Sequence, residues 1–261
     1  MASTIKVNTL DTQTGTELAL AATKKITGDN TQFKITGGAS SNVLITDGAG
    51  ALTWGSVAAG FHNVKFITAT DTSVDLETGT IKILIEVLGA GGCSGGSEGS
   101  GYMGGTGGAG GYSIQQLTVV DTDTWNVTIG AGGVDGATRN GGDTVFAQDS
   151  GSSLSLTITA GGGVGALDPP ATWGSGGAGG TITNANSGNK LNIVGATGSQ
   201  GSSSGNAGRD TRWGFGGSRG LISTGVGGNA TGYGASGGDP SGVSQLGGEG
   251  GDGLVIIWEY K

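Results

Sequence analysis

The sequence predicts an all-β and irregular fold in which ordinary strands border packed helices of the polyglycine II type. Three observations predict it. Glycine supplies 61 of the 261 residues, about three times ordinary usage. Runs rich in β-branched and apolar residues, such as KILIEVL and LVIIWEY, interrupt the glycine tracts. Within those tracts glycine recurs at every third position, as at Gly101, Gly104, Gly107 and Gly110, which is the period of an extended left-handed helix with three residues per turn. Hydrophobic residues make up 34 % and aromatics 5 %, so the expected core of large side chains is thin and backbone hydrogen bonds carry much of the fold. Three prolines are too few for collagen. The strand-like runs, with only 12 % charged residues, argue against simple disorder.

Residues 1–60 hold 8 of the 61 glycines, which places a boundary near Gly60. Short apolar patches at Ile5, Val7 and Leu10, at Phe33 and Ile35, and at Val43, Leu44 and Ile45 are separated by Thr, Asn, Asp and Gly, a pattern of short strands and turns. One helical turn is predicted over 17–24, where ELALAATK follows Thr16 as N-cap. Sixty residues with so few large apolar groups bury too little area to fold alone, so their core is expected to come from other copies of the chain. Residues 61–79 read as a connector with one strand at 63–69. Residues 80–261 form the glycine-rich domain.

In that domain the strands are expected at 80–88, 112–120, 124–129, 153–160 and Leu254–Tyr260. Between them the period of three returns at Gly105, Gly108 and Gly111, at Gly174, Gly177 and Gly180, at Gly195, Gly198 and Gly201, at Gly214, Gly217 and Gly220, and at Gly247, Gly250 and Gly253. A helix of this type has no internal hydrogen bonds, so its amides and carbonyls need neighbours. Glycine lets those neighbours approach. A Cβ at Gly104 or Gly107 is therefore expected to be severe, whereas Thr106→Val between them is expected to be tolerated.

Two segments of the N-terminal part carry a family resemblance. IKVNTLDTQTGTEL is similar to the segment near the N-terminus of many phage tail-fibre proteins, and SNVLITDGAGALTW resembles a fibre motif in which Leu precedes a Thr/Ser-Asp-Gly-x-Gly turn and Trp follows. The resemblance implies an intertwined trimeric β-shaft over 1–60 that attaches the chain to a tail or baseplate protein of the virion. Asp47-Gly48 and Ala49-Gly50 suit the turn between its strands. The C-terminal part resembles the glycine-rich domain of phage fibre and receptor-binding proteins, on the strand entering GxGG at 87–92, WNVTIGAGG, GGDTVF and GGDGLVIIWEY. That likeness implies a homotrimeric adhesin of a phage tail fibre, located in the virion, whose partner is a bacterial surface receptor, a glycan or an outer-membrane protein. The alternative it leaves open is a purely structural fibre.

The residues themselves argue against catalysis. His62 is the single histidine and no GxSxG elbow accompanies it, so a Ser-His-Asp triad is not expected. No carboxylate pair lies in an apolar setting that would tune a glycosidase acid, and GxGxxG matches are inevitable at this glycine content. No cofactor and no metal are expected: Cys93 is the sole cysteine and reads as a small buried residue, and the acidic fragments 121–123 and 249–252 lack EF-hand spacing. A net charge of −8 without a basic run makes nucleic acid an unexpected partner, and no apolar run is long enough for membrane insertion. Recognition is left to scarce aromatic and Arg side chains in glycine-flanked loops. The candidates are Trp173, Arg209, Arg212, Trp213, Phe215 and Tyr233, residue types that suit binding hot spots. Capping of the glycine bundle by Trp213 and Phe215 is an equal alternative.

Overall fold

The computed structural model describes the backbone of residues 42–46 and 52–56 and, from 60 to 261, all residues except 98–101, 137, 150–155, 169–172, 187, 221–224 and 243. The chain divides into two compact units, 1–57 and 58–261. In the first, β1 (Asn42–Thr46) and β2 (Leu52–Ser56) pair antiparallel with Thr46 opposite Leu52, as arms of a hairpin. Its Asp-Gly and Ala-Gly turn positions, the patches at 5–10 and 33–35 and the helical turn at 17–24 lie outside the described residues. Among the described residues there is no helix, and every strand pairing is antiparallel.

The second unit is built round two five-stranded sheets. One has the order β11 (Lys190–Ile193), β6 (Tyr112–Thr118), β5 (Lys82–Leu88), β14 (Leu254–Tyr260), β3 (Phe61–Ile67). The other has β10 (Ile182–Asn184), β9 (Thr157–Ala160), β8 (Thr144–Gln148), β7 (Thr124–Thr128), β4 (Asp71–Asp75). Alternation along β5 and β14 turns Ile83, Ile85, Val87, Val255 and Ile257 inward, where they meet Trp125, Val127, Phe146 and Ile158 of the facing sheet. The Trp125 and Phe146 rings stack at 4.8 Å. This core is thicker than composition suggests, because the chain's few large apolar residues are gathered into these strands and kept out of the glycine segments. The stretch 61–79, expected as a connector, supplies an edge strand to each sheet.

One charge is taken into this interior. Glu259 of β14 is fully buried and accepts from the Glu77 N–H at 2.7 Å, the Thr80 hydroxyl at 2.8 Å and the Asn63 amide at 3.1 Å, with the Lys65 ammonium at 3.6 Å. Burial alone would raise its pKa. The Glu77, Thr80 and Asn63 bonds and the Lys65 charge outweigh that and hold it below the usual carboxylate range.

The glycine segments continue the sandwich in a different style. Amides of Gly174, Gly177 and Gly180 donate to carbonyls of Met103, Thr106 and Ala109, and carbonyls of the same three glycines accept from Gly201, Gly198 and Gly195. Gly89, Gly92 and Gly95 donate to Gly111, Gly108 and Gly105. Every third residue thus serves one neighbour. The residues between serve others: Gly108 donates to Val164, Ala109 to Ala196 and Gly110 to Gly234, so the segment 103–111 bonds in several directions where a β-strand has only two. Backbones approach closely enough that a Cβ on Gly107 would fall 2.2 Å from the Gly92 carbonyl oxygen, and one on Gly110 would fall 1.9 Å from that of Gly89. Thr106 departs from expectation. It is fully buried, and its hydroxyl accepts the Ser199 N–H at 2.7 Å, so it is not a tolerant position.

Candidate recognition site

The outer face of the β11–β6–β5–β14–β3 sheet carries the site. In β5 the residues that alternate with the core, Leu84, Glu86 and Leu88, face this side. Leu88, Tyr112, Leu254 and Ile256 make a second apolar cluster here, joined by half-buried Val64, Ile114, Trp213, Tyr233 and Trp258. Glu86 is 3 % exposed in its midst. Such a carboxylate needs partners, and four groups supply them. The Tyr112 hydroxyl donates at 2.6 Å and the Trp213 indole N–H at 3.2 Å to Oε2, while the Trp258 indole N–H donates at 3.1 Å to Oε1. Arg212 Nε lies 3.6 Å from Oε2. Burial, and then the bond to Glu86, push the Tyr112 phenol well above its ordinary pKa, so it stays a hydrogen-bond donor.

The loops that bring Arg212 and Trp213 to Glu86, and Tyr233 onto the apolar cluster beside it, are fixed by short pairings. β12 (Gly214–Phe215) pairs with β13 (Thr231–Gly232), with Phe215 opposite Thr231. Tyr233 N–H donates to the Trp213 carbonyl at 3.0 Å, and the Thr211 hydroxyl donates to the Tyr233 carbonyl at 2.6 Å. Gly232 (φ 84°) and Gly234 (φ 68°) flank Tyr233 in the left-handed region, which lets the chain turn sharply onto the sheet. Arg212 lies over the Trp213 ring at 5.4 Å. Its side chain is 60 % exposed, and Phe215 is 73 % exposed.

The six sequence candidates therefore divide. Arg212 and Trp213 come together at Glu86, Tyr233 packs against the apolar cluster beside them, and Phe215 follows on β12. Arg209 is turned into the glycine network, donating to the Thr197 carbonyl at 2.9 Å and the Ser199 hydroxyl at 2.5 Å. Trp173 packs edge-on to Tyr102 at 5.6 Å instead of joining the others. Glu86 itself escaped the sequence reading, as did Tyr112 and Trp258. The signal was present: an acid inside KILIEVL, in a strand otherwise apolar, marks a buried charge with arranged partners.

A cavity of about 430 Å³ opens next to this cluster, between β6 and β11 on one side and Asp210, Thr211 and Arg212 on the other. Elsewhere, Arg139 joins two carboxylates: it bonds Asp135 at 2.8 Å and also Asp168. The bond to Asp168 raises the Arg139 pKa. Burial would raise that of Asp168, but Arg139 and the Gly96 N–H hold it down. Cys93 is fully buried next to this group, and desolvation pushes its thiol up to about 12. Among the described residues no group of three His, Cys, Asp or Glu side chains is placed to hold a metal ion.

The class of protein these features define is an all-β glycine-rich domain, a sandwich extended by a hydrogen-bonded glycine network. The chain belongs to the glycine-rich domain family, whose model matches residues 67–260. No curated protein matches it.

Proposed function

We propose that the chain is a non-enzymatic fibre component of a phage virion, attached to the tail or baseplate through residues 1–60 and binding the host surface through the glycine-rich domain. The observation that carries this reading is the display of Arg212 and Phe215. Both stand exposed on loops pinned to the sheet through Glu86, and rigid aromatic and Arg anchors lose little entropy on binding. The segments with three-residue hydrogen-bond periodicity are, in this reading, polyglycine II-type helices. The homotrimer follows from residues 1–60, which are too short and too poor in large apolar groups to form a core from one copy. Its test is light scattering: three chain masses are expected, and a monomeric mass at micromolar concentration would sink it.

Adsorption of the labelled full chain to a panel of bacterial strains tests recognition. Binding to a subset of strains, weakened by Phe215→Ala, is the expected outcome. The second reading is a structural appendage without a receptor. It draws support from the internal contacts of Trp213, Tyr233 and Arg209, and adsorption to no strain would favour it.

A further inference from the structure

A separate cavity of about 320 Å³ opens on the same face of the sheet, at the start of β5, lined by Lys82, Leu84, Gln116 and Tyr260. Its size is at the lower end of ligand pockets, about 300–1,000 Å³. The strand register assembles it. Lys82 stands opposite Tyr260 on one side and Thr118 on the other, and Leu84 stands opposite Trp258 and Gln116, so alternate residues of three adjacent strands share the face. The hydrogen-bonding groups gathered here are unspent. Among the described residues the Lys82 ammonium, the Gln116 amide, the Thr118 hydroxyl and the Tyr260 phenol make no hydrogen bond or ion pair. Round Glu86, two residues further along β5, the reverse holds, since Tyr112, Trp213 and Trp258 all donate to its carboxylate.

Aromatic rings supply a second, independent observation. Phe61 of β3 stands opposite Tyr260, and its ring lies 6.2 Å from that of Tyr260 at 75° and 6.1 Å from that of Trp258 at 57°. Rings that meet edge-on or tilted do not cover each other's faces as a stacked pair does. Phe61 is 60 % exposed, and Trp258 and Tyr260 are half-buried. The Trp258 N–H is committed to Glu86, so Trp258 offers only ring surface. Open aromatic surface and free hydrogen-bonding groups therefore lie side by side on β14, with Tyr260 contributing to both.

We propose that this cavity and the rings beside it bind a pyranose unit of a glycan. A pyranose presents C–H groups on a face that packs on an aromatic ring, and hydroxyls round its rim that both donate and accept. The site matches both. The Gln116 amide donates and accepts, the Thr118 and Tyr260 hydroxyls do either, and Lys82 donates. An aliphatic ligand would take water from these four groups and return no hydrogen bond. A nucleic acid would bring phosphates to a chain with a net −8. The proposal deepens the host-recognition reading and rests on it for the source of the glycan: it names a sugar, not a protein, as what this end of the face binds.

The test is an array of defined oligosaccharides of hexoses, hexosamines and uronic acids, probed with the labelled full chain, followed by titration of each sugar retained. Affinity should fall at least tenfold in Gln116→Ala and several-fold in Tyr260→Phe, which removes only the hydroxyl, and in Lys82→Met, which keeps the stem. Gln116 is exposed and the other two changes are close to isosteric, so urea midpoints should stay in place and a lost affinity reads as lost contact. An array that retains no sugar, or only sugars bound equally by Gln116→Ala, would overturn the proposal. So would a sugar lost in Phe215→Ala but kept in Gln116→Ala, which sits elsewhere, or a chain mass in sedimentation that drops in Gln116→Ala, which makes a second copy the occupant. Bacterial adsorption separates the two readings. Adsorption to a subset of strains without any Gln116-sensitive sugar leaves host recognition standing and overturns this site; a Gln116-sensitive sugar with adsorption to no strain supports the site and removes the host.

Discussion

The sandwich and the glycine network solve one problem in opposite ways. In the sandwich, backbone groups are satisfied within each sheet and the sheets adhere through side chains such as Trp125, Phe146, Ile85 and Ile257. In the network, side chains are nearly absent and backbone bonds join neighbours in several directions. The first arrangement tolerates a changed side chain at the expense of a cavity. The second tolerates almost no side chain at all, because what a Cβ meets is a neighbouring carbonyl. Removing atoms should therefore damage the sandwich, and adding them should damage the network.

The largest effect is expected from addition. Gly107→Val places its Cβ against the Gly92 carbonyl oxygen, where the space is 2.2 Å, and neither backbone can move without breaking the bonds between 89–95 and 105–111. A loss of more than about 4 kcal/mol is expected, or failure to fold. The proper comparison is Ser175→Val, which changes an exposed side chain in another glycine segment and should shift stability by less than about 0.5 kcal/mol. Thr106→Val cannot serve, because Thr106 is buried and hydrogen-bonded. Thermal melts of both variants measure the contrast. Equal shifts would erase the distinction between network and linker.

Removal should be felt next. Phe146→Ala empties space beside Trp125 in a core with no exposure and is expected to cost about 3–4 kcal/mol in urea unfolding. A loss below about 1 kcal/mol would mean that the sheets slide together to fill the gap, and that the sandwich is softer than its packing implies.

The same pair of regions should answer pH with opposite signs. Asp239 sits in the network with no exposure. Asn206 donates to its Oδ2 at 2.9 Å, while its Oδ1 has no partner among the described residues. Burial pushes its pKa up to about 7, against the ordinary 3.8, and the Asn206 bonds only moderate the rise. Between about pH 4 and 7 the folded chain keeps a proton that the unfolded chain has lost, so stability falls as pH rises through this window and levels off above it. The fall is on the order of 4 kcal/mol, and Asp239→Asn should abolish it. Glu259 in the sandwich is shifted down, so its contribution is present above the unfolded pKa and is lost as pH falls through the folded one. Unfolding curves at several pH values, for each single variant, separate the two. A wild-type slope that survives in Asp239→Asn would show that the proton is taken up elsewhere.

Legibility in the sequence followed the same division. The strands β5, β6, β7 and β14 stand out because their apolar runs are bounded by glycine, and Leu254–Tyr260 is placed to the residue. β4, β10 and β11 are short edge strands, DTSVD, ITN and KLNI, with no local signature apart from their partners. The three-residue period located the glycine segments, but which segment bonds to which is a long-range property that no local pattern encodes. At the site, scarcity pointed to Arg212, Trp213 and Tyr233. It could not separate them from Trp173 and Arg209, since scarce residues stabilise structure as readily as they bind.

The smallest effect sharpens that last point. Arg212 touches both parts of the site, pairing with Glu86 and covering Trp213, yet its side chain is 60 % exposed and its distance to Glu86 is 3.6 Å. A pair so open to water contributes little, so Arg212→Ala should change stability by less than about 0.5 kcal/mol. Glu86→Gln differs. It keeps the volume but removes the charge that three donors and Arg212 share, and the new amide must place an N–H₂ where Tyr112, Trp213 or Trp258 already donates. A loss of about 2 kcal/mol is expected there. Urea midpoints for the two variants give the ratio directly. If Arg212→Ala proved as costly as Glu86→Gln, Arg212 would be a part of the scaffold, and its display at the rim could no longer be held apart from the packing beneath it.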